Sequence, residues 1–281
     1  MIVVPTGYAS YHNCRIMAYL DVCDVTLTFK GIAALMGVSF TVEQGTIASL
    51  IGPNGAGKTS MLNCISGRYT PDGGASGPCT ISLDGECLLS LPAHKRTELG
   101  LSRTFQNIAL FKGLSVLDNL MVGRHSRMEY GLLSSIMYWG RAARQEDSHR
   151  RRVEDVIDFL NLSPYRHQHA GRLPYGVQKR VELGRALAAE PKLILLDEPM
   201  AGMNLEETED MARYILDIAE EWGVTVLLVE HDMGVVMDIS DKVIVLDFGS
   251  KLAEGTPDEV QADKNVIAAY LGTEQATFSG R

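Results

Sequence analysis

Gly52-Pro53-Asn54-Gly55-Ala56-Gly57-Lys58-Thr59 fits the pattern G-x-x-x-x-G-K-[ST]. It follows Thr46-Ile47-Ala48-Ser49-Leu50-Ile51, an apolar stretch that reads as a buried strand. Ser60-Met61-Leu62-Asn63-Cys64-Ile65 comes next and reads as the start of a helix. Strand, glycine loop and helix N-terminus together aim backbone N–H groups and a positive dipole end at one spot. Small residues let the main chain wrap a phosphate, Lys58 can reach β- and γ-oxygens, and the Thr59 hydroxyl can ligate Mg²⁺. Gly52, Pro53, Asn54, Gly55, Ala56, Gly57, Lys58, Thr59 and Ser60 are therefore the candidate nucleotide-binding residues. A chance match in a glycine-rich turn would lack these flanks. The loop implies a nucleoside triphosphate without saying what is done with it.

Lys192-Leu193-Ile194-Leu195-Leu196-Asp197-Glu198-Pro199 is a short apolar run closed by two carboxylates. Such a run suits a central parallel strand buried on both faces, and its C-terminal end is where open α/β sheets bind ligands. Asp197 is then placed to hold Mg²⁺, and Glu198 to orient or deprotonate an attacking water. Taken alone, the pair would equally suit two solvated loop acids. A second run, Thr225-Val226-Leu227-Leu228-Val229, ends in Glu230-His231-Asp232. An imidazole at that strand end can reach the γ-phosphate and the catalytic water.

Composition is that of a globular chain: 281 residues, 46% hydrophobic and 22% charged. A net charge of −9 argues against nucleic acid as a partner. No apolar run approaches the ~20 residues that cross a bilayer, and the first residues lack the marks of a signal peptide. Five cysteines without a C-x-x-C pair read as reduced cytosolic thiols.

Val25–Phe29, Val38–Val42 and residues 81–85 alternate as half-buried antiparallel strands do, which predicts an antiparallel lobe beside the nucleotide core. From about 108 to 184 strand character is lost. Val153, Val156, Ile157 and Leu160 mark one helix face, ended by Asn161 and Pro164. Leu205 to Trp222 is a further helix with Met211, Tyr214, Ile215 and Ile218 inward, stopped by Gly223. The sheet resumes at 224–229 and 243–246. His149, His167 and His169 have no metal-ligand spacing and read as surface residues.

In its order of motifs the chain resembles the ATP-binding subunits of ABC transporters, from about Tyr19 to Gly272. Arg103-Thr104-Phe105-Gln106-Asn107 matches the Q-loop, Leu173-Pro174-Tyr175-Gly176-Val177 the signature, Ala201-Gly202-Met203-Asn204 the D-loop, and Phe29 the aromatic on which adenine stacks. The resemblance implies an α/β fold: a P-loop NTPase cassette with a RecA-like core, an antiparallel β lobe and a helical signature subdomain. Residues 1–18 would be a disordered extension or a misassigned start, 19–272 a single ATPase domain with its helical subdomain at about 108–184, and 273–281 a tail. Phe111 to Leu120, Ile194 to Asn204, Glu254-Gly255-Thr256-Pro257 and Val266 to Gly272 are similar to the ATPases of branched-chain amino acid-type importers.

That likeness implies ATP and Mg²⁺ as ligands, with Thr59, Gln106 and Asp197 on the metal and Glu198, His231 and Gln106 in catalysis. Each cassette would cap the ATP of a second ABC ATPase subunit, in a heterodimer or a homodimer. Below two membrane permeases and an extracytoplasmic solute-binding protein, it would lie on the cytoplasmic face of the membrane. The permease's coupling helix would dock between the Q-loop and the helical lobe. Gly131 to Trp139 and Arg141, Arg144, Arg150, Arg151 and Arg152 are candidates for that groove or for a core closure with a solvated face.

Two departures stand out. Pro174 occupies the place of the signature serine and offers neither hydroxyl nor N–H, and Asn204 replaces the usual D-loop Asp. Rival functions are an exporter-type ATPase such as that of lipopolysaccharide transport, a soluble ABC ATPase, and a GTPase switch. The last would need an Asn-Lys-x-Asp guanine reader that this chain lacks.

Overall fold

The run at 47–51 is the third strand of the chain and lies inside a six-stranded sheet. A computed structural model describes residues 18–75, 77–106, 108–127 and 141–270. In chain order the elements begin with β1 (Leu20–Phe29), β2 (Ile32–Val42), β3 (Ile47–Ile51), α1 (Lys58–Ser66), β4 (Thr80–Leu83) and β5 (Glu86–Cys87). They continue with α2 (Ala93–Glu98), β6 (Leu101–Arg103), α3 (Val116–Gly123), α4 (Arg141–Phe159) and α5 (Tyr175–Leu187). The last part holds β7 (Leu193–Asp197), α6 (Leu205–Glu220), β8 (Thr225–Val229), α7 (Met233–Ile239), β9 (Lys242–Asp247), β10 (Ser250–Gly255) and α8 (Pro257–Ala262).

The large sheet runs β10-β9-β3-β8-β7-β6, parallel except for β10. The smaller sheet, β2-β1-β4-β5, is antiparallel throughout. Along β7 and β8, side chains point in turn to opposite sides of the large sheet. Ile194, Leu196, Val226 and Leu228 join a core with α4, α5 and α6. Leu193, Leu195, Leu227 and Val229 join one with α1 and the antiparallel sheet. Both faces are covered, so these strands carry no polar alternation.

β1 and β2 extend further than the alternation predicts, back to Leu20 and Ile32. Asp24 adopts a positive φ of 53°, and the β1–β2 register shifts between Val22 and Val25. That irregularity breaks the period-two signal on which the sequence reading depended. β6, which sets up the Q-loop, is only three residues long and gave no periodic signal. α6 starts at Leu205 and ends at Glu220, with Met211, Tyr214, Ile215 and Ile218 buried. Cys23, Cys64, Cys79 and Cys87 are free thiols. Residues 1–17, the run 131–139, Asn107, Cys14 and the tail from 271 lie outside the described residues.

Candidate functional site

Strand registers bring the candidate residues to one edge of the large sheet. Leu50 of β3 and Asp197 of β7 both pair with Val229 of β8, and Arg103 of β6 pairs with Leu195. The loops after β3, β6, β7 and β8 therefore leave from the same C-terminal edge. Backbone neighbours force glycine at the first and last glycine positions of the first loop, Gly52 and Gly57. At Gly52, with φ 145°, a Cβ would come within 2.0 Å of the Leu246 carbonyl; at Gly57, with φ 103°, within 2.6 Å of that of Ala34. Gly57 caps α1 without any side chain, leaving the first-turn N–H groups to a ligand. Thr59 and Ser60 sit half-buried in that turn, while Asn54 and Gly55 are exposed.

Lys58 Nζ donates to the Gly52 carbonyl at 2.6 Å and to that of Pro53 at 3.0 Å. The ammonium is folded onto the loop's own oxygens. Burial pushes its pKa below the ordinary lysine value, and Glu198 and Asp197 pull it back. Phe29 is half-exposed at the end of β1, its ring 5.1 Å from that of Tyr69 in an edge-on contact.

Glu198 joins three loops. Its Oε1 lies 2.5 Å from His231 Nε2, and its Oε2 accepts from Gln106 Nε2 at 3.1 Å. Its backbone has φ 51°, a costly conformation for a residue with a Cβ, and is held by N–H to Val229 O at 2.9 Å. Such a carboxylate, at the mouth of the phosphate loop, has the placement of a general base. Asp197 is 1% exposed. One carboxylate oxygen, Oδ2, accepts from Arg103 at 2.9 Å, while Oδ1 is buried without a partner. An unsatisfied buried carboxylate oxygen beside the phosphate loop suits a hard cation that demands oxygen ligands. Asp197, Thr59 and Gln106 would hold Mg²⁺, which would neutralise phosphate charge.

The signature segment divides between core and surface. Leu173, in extended backbone just before the α5 N-cap, and Val177, in the first turn of α5, are each 5% exposed and packed in the helical core. Pro174 and Tyr175 are exposed, while Gly176 is buried. Pro174 caps α5 with no side-chain hydrogen bond. The Tyr175 hydroxyl donates to Ala201 O at 3.1 Å, turned toward its own D-loop. Glu207 crowds Gly176: a Cβ there would lie 2.2 Å from its Oε1. Asn204 caps α6, its side chain accepting from Glu207 N while Glu207 Oε2 accepts from Asn204 N.

Sequence reasoning missed several charged residues around these loops. Glu230, 4% exposed, accepts from the N–H groups of Met200 and His231, tying the turn after β7 to the one after β8. Lys179 reaches Glu198 O at 3.2 Å and Gln106 O at 3.5 Å from α5. Glu182 accepts from Phe105 N at 3.4 Å and Ala109 N at 3.3 Å, bracketing Gln106. Only their charge, on otherwise buried helix or strand positions, could have marked them. His149, read as a surface residue, is half-buried; its Nδ1 accepts from Arg124 Nε at 2.9 Å. His167 and His169 are exposed. A cavity of about 540 Å³ opens between the Q-loop and the helices, with Arg103, Phe105, Phe111 and Arg185 in its lining. Arg150, Arg151 and Arg152 are exposed on α4.

Residues 35–201 match the family described as ABC transporter, and residues 250–276 the one described as branched-chain amino acid ATP-binding cassette transporter. The high-affinity branched-chain amino acid transport ATP-binding protein BraF of Pseudomonas aeruginosa is 41% identical, covering 90% of this chain and 97% of that protein. The lipopolysaccharide export system ATP-binding protein LptB of Haemophilus influenzae is 31% identical, covering 92% and 99%. Among solved structures, an ATP-binding cassette of an ABC transporter in its ADP conformation superposes with a TM-score of 0.78. It is 30% identical and covers 91% of this chain and 99% of that one.

Proposed function

Because the chain belongs to the ABC transporter family of ATP-binding subunits, we propose that it energises the import of branched-chain amino acids or a related small polar solute. It is an ATPase coupled to transport. The observation that carries the importer reading is the degree of the likeness to the branched-chain transport ATPase. Coverage is similar for the lipopolysaccharide export subunit, so identity decides: 41% against 31%, with the C-terminal segment matching the branched-chain family as well.

In this reading ATP lies on the Gly52–Ser60 loop with adenine on Phe29, and Glu198 takes the proton of the attacking water under the control of His231 and Gln106. A second cassette closes over the γ-phosphate, and two permeases dock through the groove beside Phe105 and Arg185 on the cytoplasmic face of the membrane. An extracytoplasmic binding protein would deliver the solute. The sharing of Glu198 between His231 and Gln106 supports this assignment of the catalytic loops. Among the described residues no helix is long and apolar enough to cross a membrane, in keeping with a subunit that relies on permeases.

The test is uptake of labelled leucine, isoleucine and valine in a strain lacking this gene. Uptake should fall, and return with the wild-type gene but not with Lys58→Ala. Normal uptake of all three with loss of another small polar solute would move the substrate. Normal uptake with a failure of envelope lipid export would replace import by the exporter reading.

A further inference from the structure

Arg103 is the last residue of β6 and stands one strand away from Asp197. Its side chain is 7% exposed, and its guanidinium spans two elements. Nη2 donates to Asp197 Oδ2 at 2.9 Å, while Nη1 donates to Asn63 Oδ1 at 2.7 Å and Ser66 Oγ at 2.9 Å, both on α1. The Phe105 ring lies 5.7 Å from the same group. Asp197 is gripped again by the next residue, since its N–H donates to Thr104 Oγ1 at 3.3 Å. One carboxylate oxygen is thus fixed, its backbone is fixed, and the other oxygen is left unpaired in a buried place.

We propose that Arg103 is a positioning residue for the metal site: by pinning Asp197 Oδ2 against α1, it aims the free Oδ1 at the cation. The inference rests on the ATPase reading, which supplies the cation. The fork geometry matters, because a planar guanidinium can bond Asp197 with one nitrogen and α1 with another. Lysine has one nitrogen at the end of a flexible stem and cannot hold both at once in that geometry. The positive charge also offsets one of the two adjacent carboxylates, Asp197 and Glu198. Without it the metal aspartate would keep its Thr104 contact but lose the restraint on its side-chain torsion.

A purely structural role, fastening α1 to the sheet, makes a different prediction. The experiment measures binding of a fluorescent ADP by the purified full chain across a Mg²⁺ titration, starting from EDTA. In Arg103→Met, affinity in EDTA should change little, while the Mg²⁺ concentration at half-effect should rise about tenfold, the low end for a lost hydrogen bond to a charged group. Arg103→Lys should shift it in the same direction by less. Asn63→Ala removes one of the two α1 anchors while sparing the Ser66 and Asp197 contacts, and should shift the Mg²⁺ midpoint clearly less than Arg103→Met. ATPase kinetics should show a fall in kcat with KM nearly constant. An unchanged midpoint in folded Arg103→Met would overturn the proposal, as would an equal shift in Asn63→Ala. If Arg103→Met does not fold by circular dichroism, Arg103→Lys decides on the same criterion. Failure of the wild-type chain to show any Mg²⁺-dependent nucleotide binding would instead sink the ATPase reading.

Discussion

The Glu198 carboxylate meets the His231 imidazole at 2.5 Å, Oε1 to Nε2, across the ends of adjacent strands β7 and β8. Its second oxygen is held by Gln106 from β6, one strand further on the other side. A carboxylate held from two sides can be set or released by movement of either loop. Glu198→Gln should cut turnover by about 10²–10⁴-fold, the usual contribution of a general base. ATP binding should persist, and ATP should drive the variant into a dimer detectable by gel filtration. Wild-type turnover in the assembled transporter would remove Glu198 from this role.

Lys58→Ala should act at binding. The ammonium now rests on the Gly52 and Pro53 carbonyls and would exchange them for phosphate oxygens. Loss of such a charged contact costs ~1.5–3 kcal/mol, or roughly a tenfold to hundredfold weaker Kd in a nucleotide titration. The fold should survive, since no other side chain in the loop depends on it.

Asn204 stands where the D-loop acid is expected, yet its side chain is engaged in capping α6. Asn204→Ala should cost about 1 kcal/mol of stability, lowering Tm by about 2–4 °C for a chain of this size. Asn204→Asp keeps a capping oxygen and should melt near the wild type. A calorimetric scan of both variants separates capping from any role across the dimer.

Glu182 carries the pH prediction. Burial raises its pKa above the ordinary 4.5, opposed by the Ala109 and Phe105 N–H groups, Lys179 and Arg185. With the folded value above the unfolded one, its contribution to stability is full below 4.5 and is lost as pH rises through the folded value. Glu182→Gln removes that dependence. The Tm of the wild type relative to the variant should therefore rise as pH falls through the folded value toward 4.5. A difference independent of pH would show that Glu182 does not titrate in this way.

The two composite sites of a heterodimer should be unequal. Pro174 has no hydroxyl for a partner's γ-phosphate, the Tyr175 hydroxyl is committed to Ala201, and the Glu207 carboxylate crowds the signature glycine. The missing Pro174 hydroxyl and the committed Tyr175 hydroxyl should weaken the site this chain caps and spare the one built on its own phosphate loop. Placing the Glu→Gln change in one subunit at a time should then cost more activity when it sits in this chain. The missing contact alone would account for roughly a tenfold to hundredfold difference. Pro174→Ser should narrow the gap; equal losses from either side would refute it.

The sequence alone determined the elements whose physics is local. Ile47–Ile51, Leu193–Asp197 and Thr225–Val229 could be read as strands because burial on both faces leaves a mostly apolar run. The phosphate loop was legible because its glycines meet a requirement of the backbone itself. α6 was legible from its inward face and from Gly223. What tertiary structure decided is which polar groups meet. Arg103 and Asp197 are 94 residues apart, and Glu182 lies 77 residues from Phe105. Nothing in either stretch marks its partner. The same holds for Leu173 and Val177, whose motif says nothing of the core cluster that both side chains join. Hydrophobic periodicity is written along the chain, but the pairing of buried charges depends on which strand ends fold side by side.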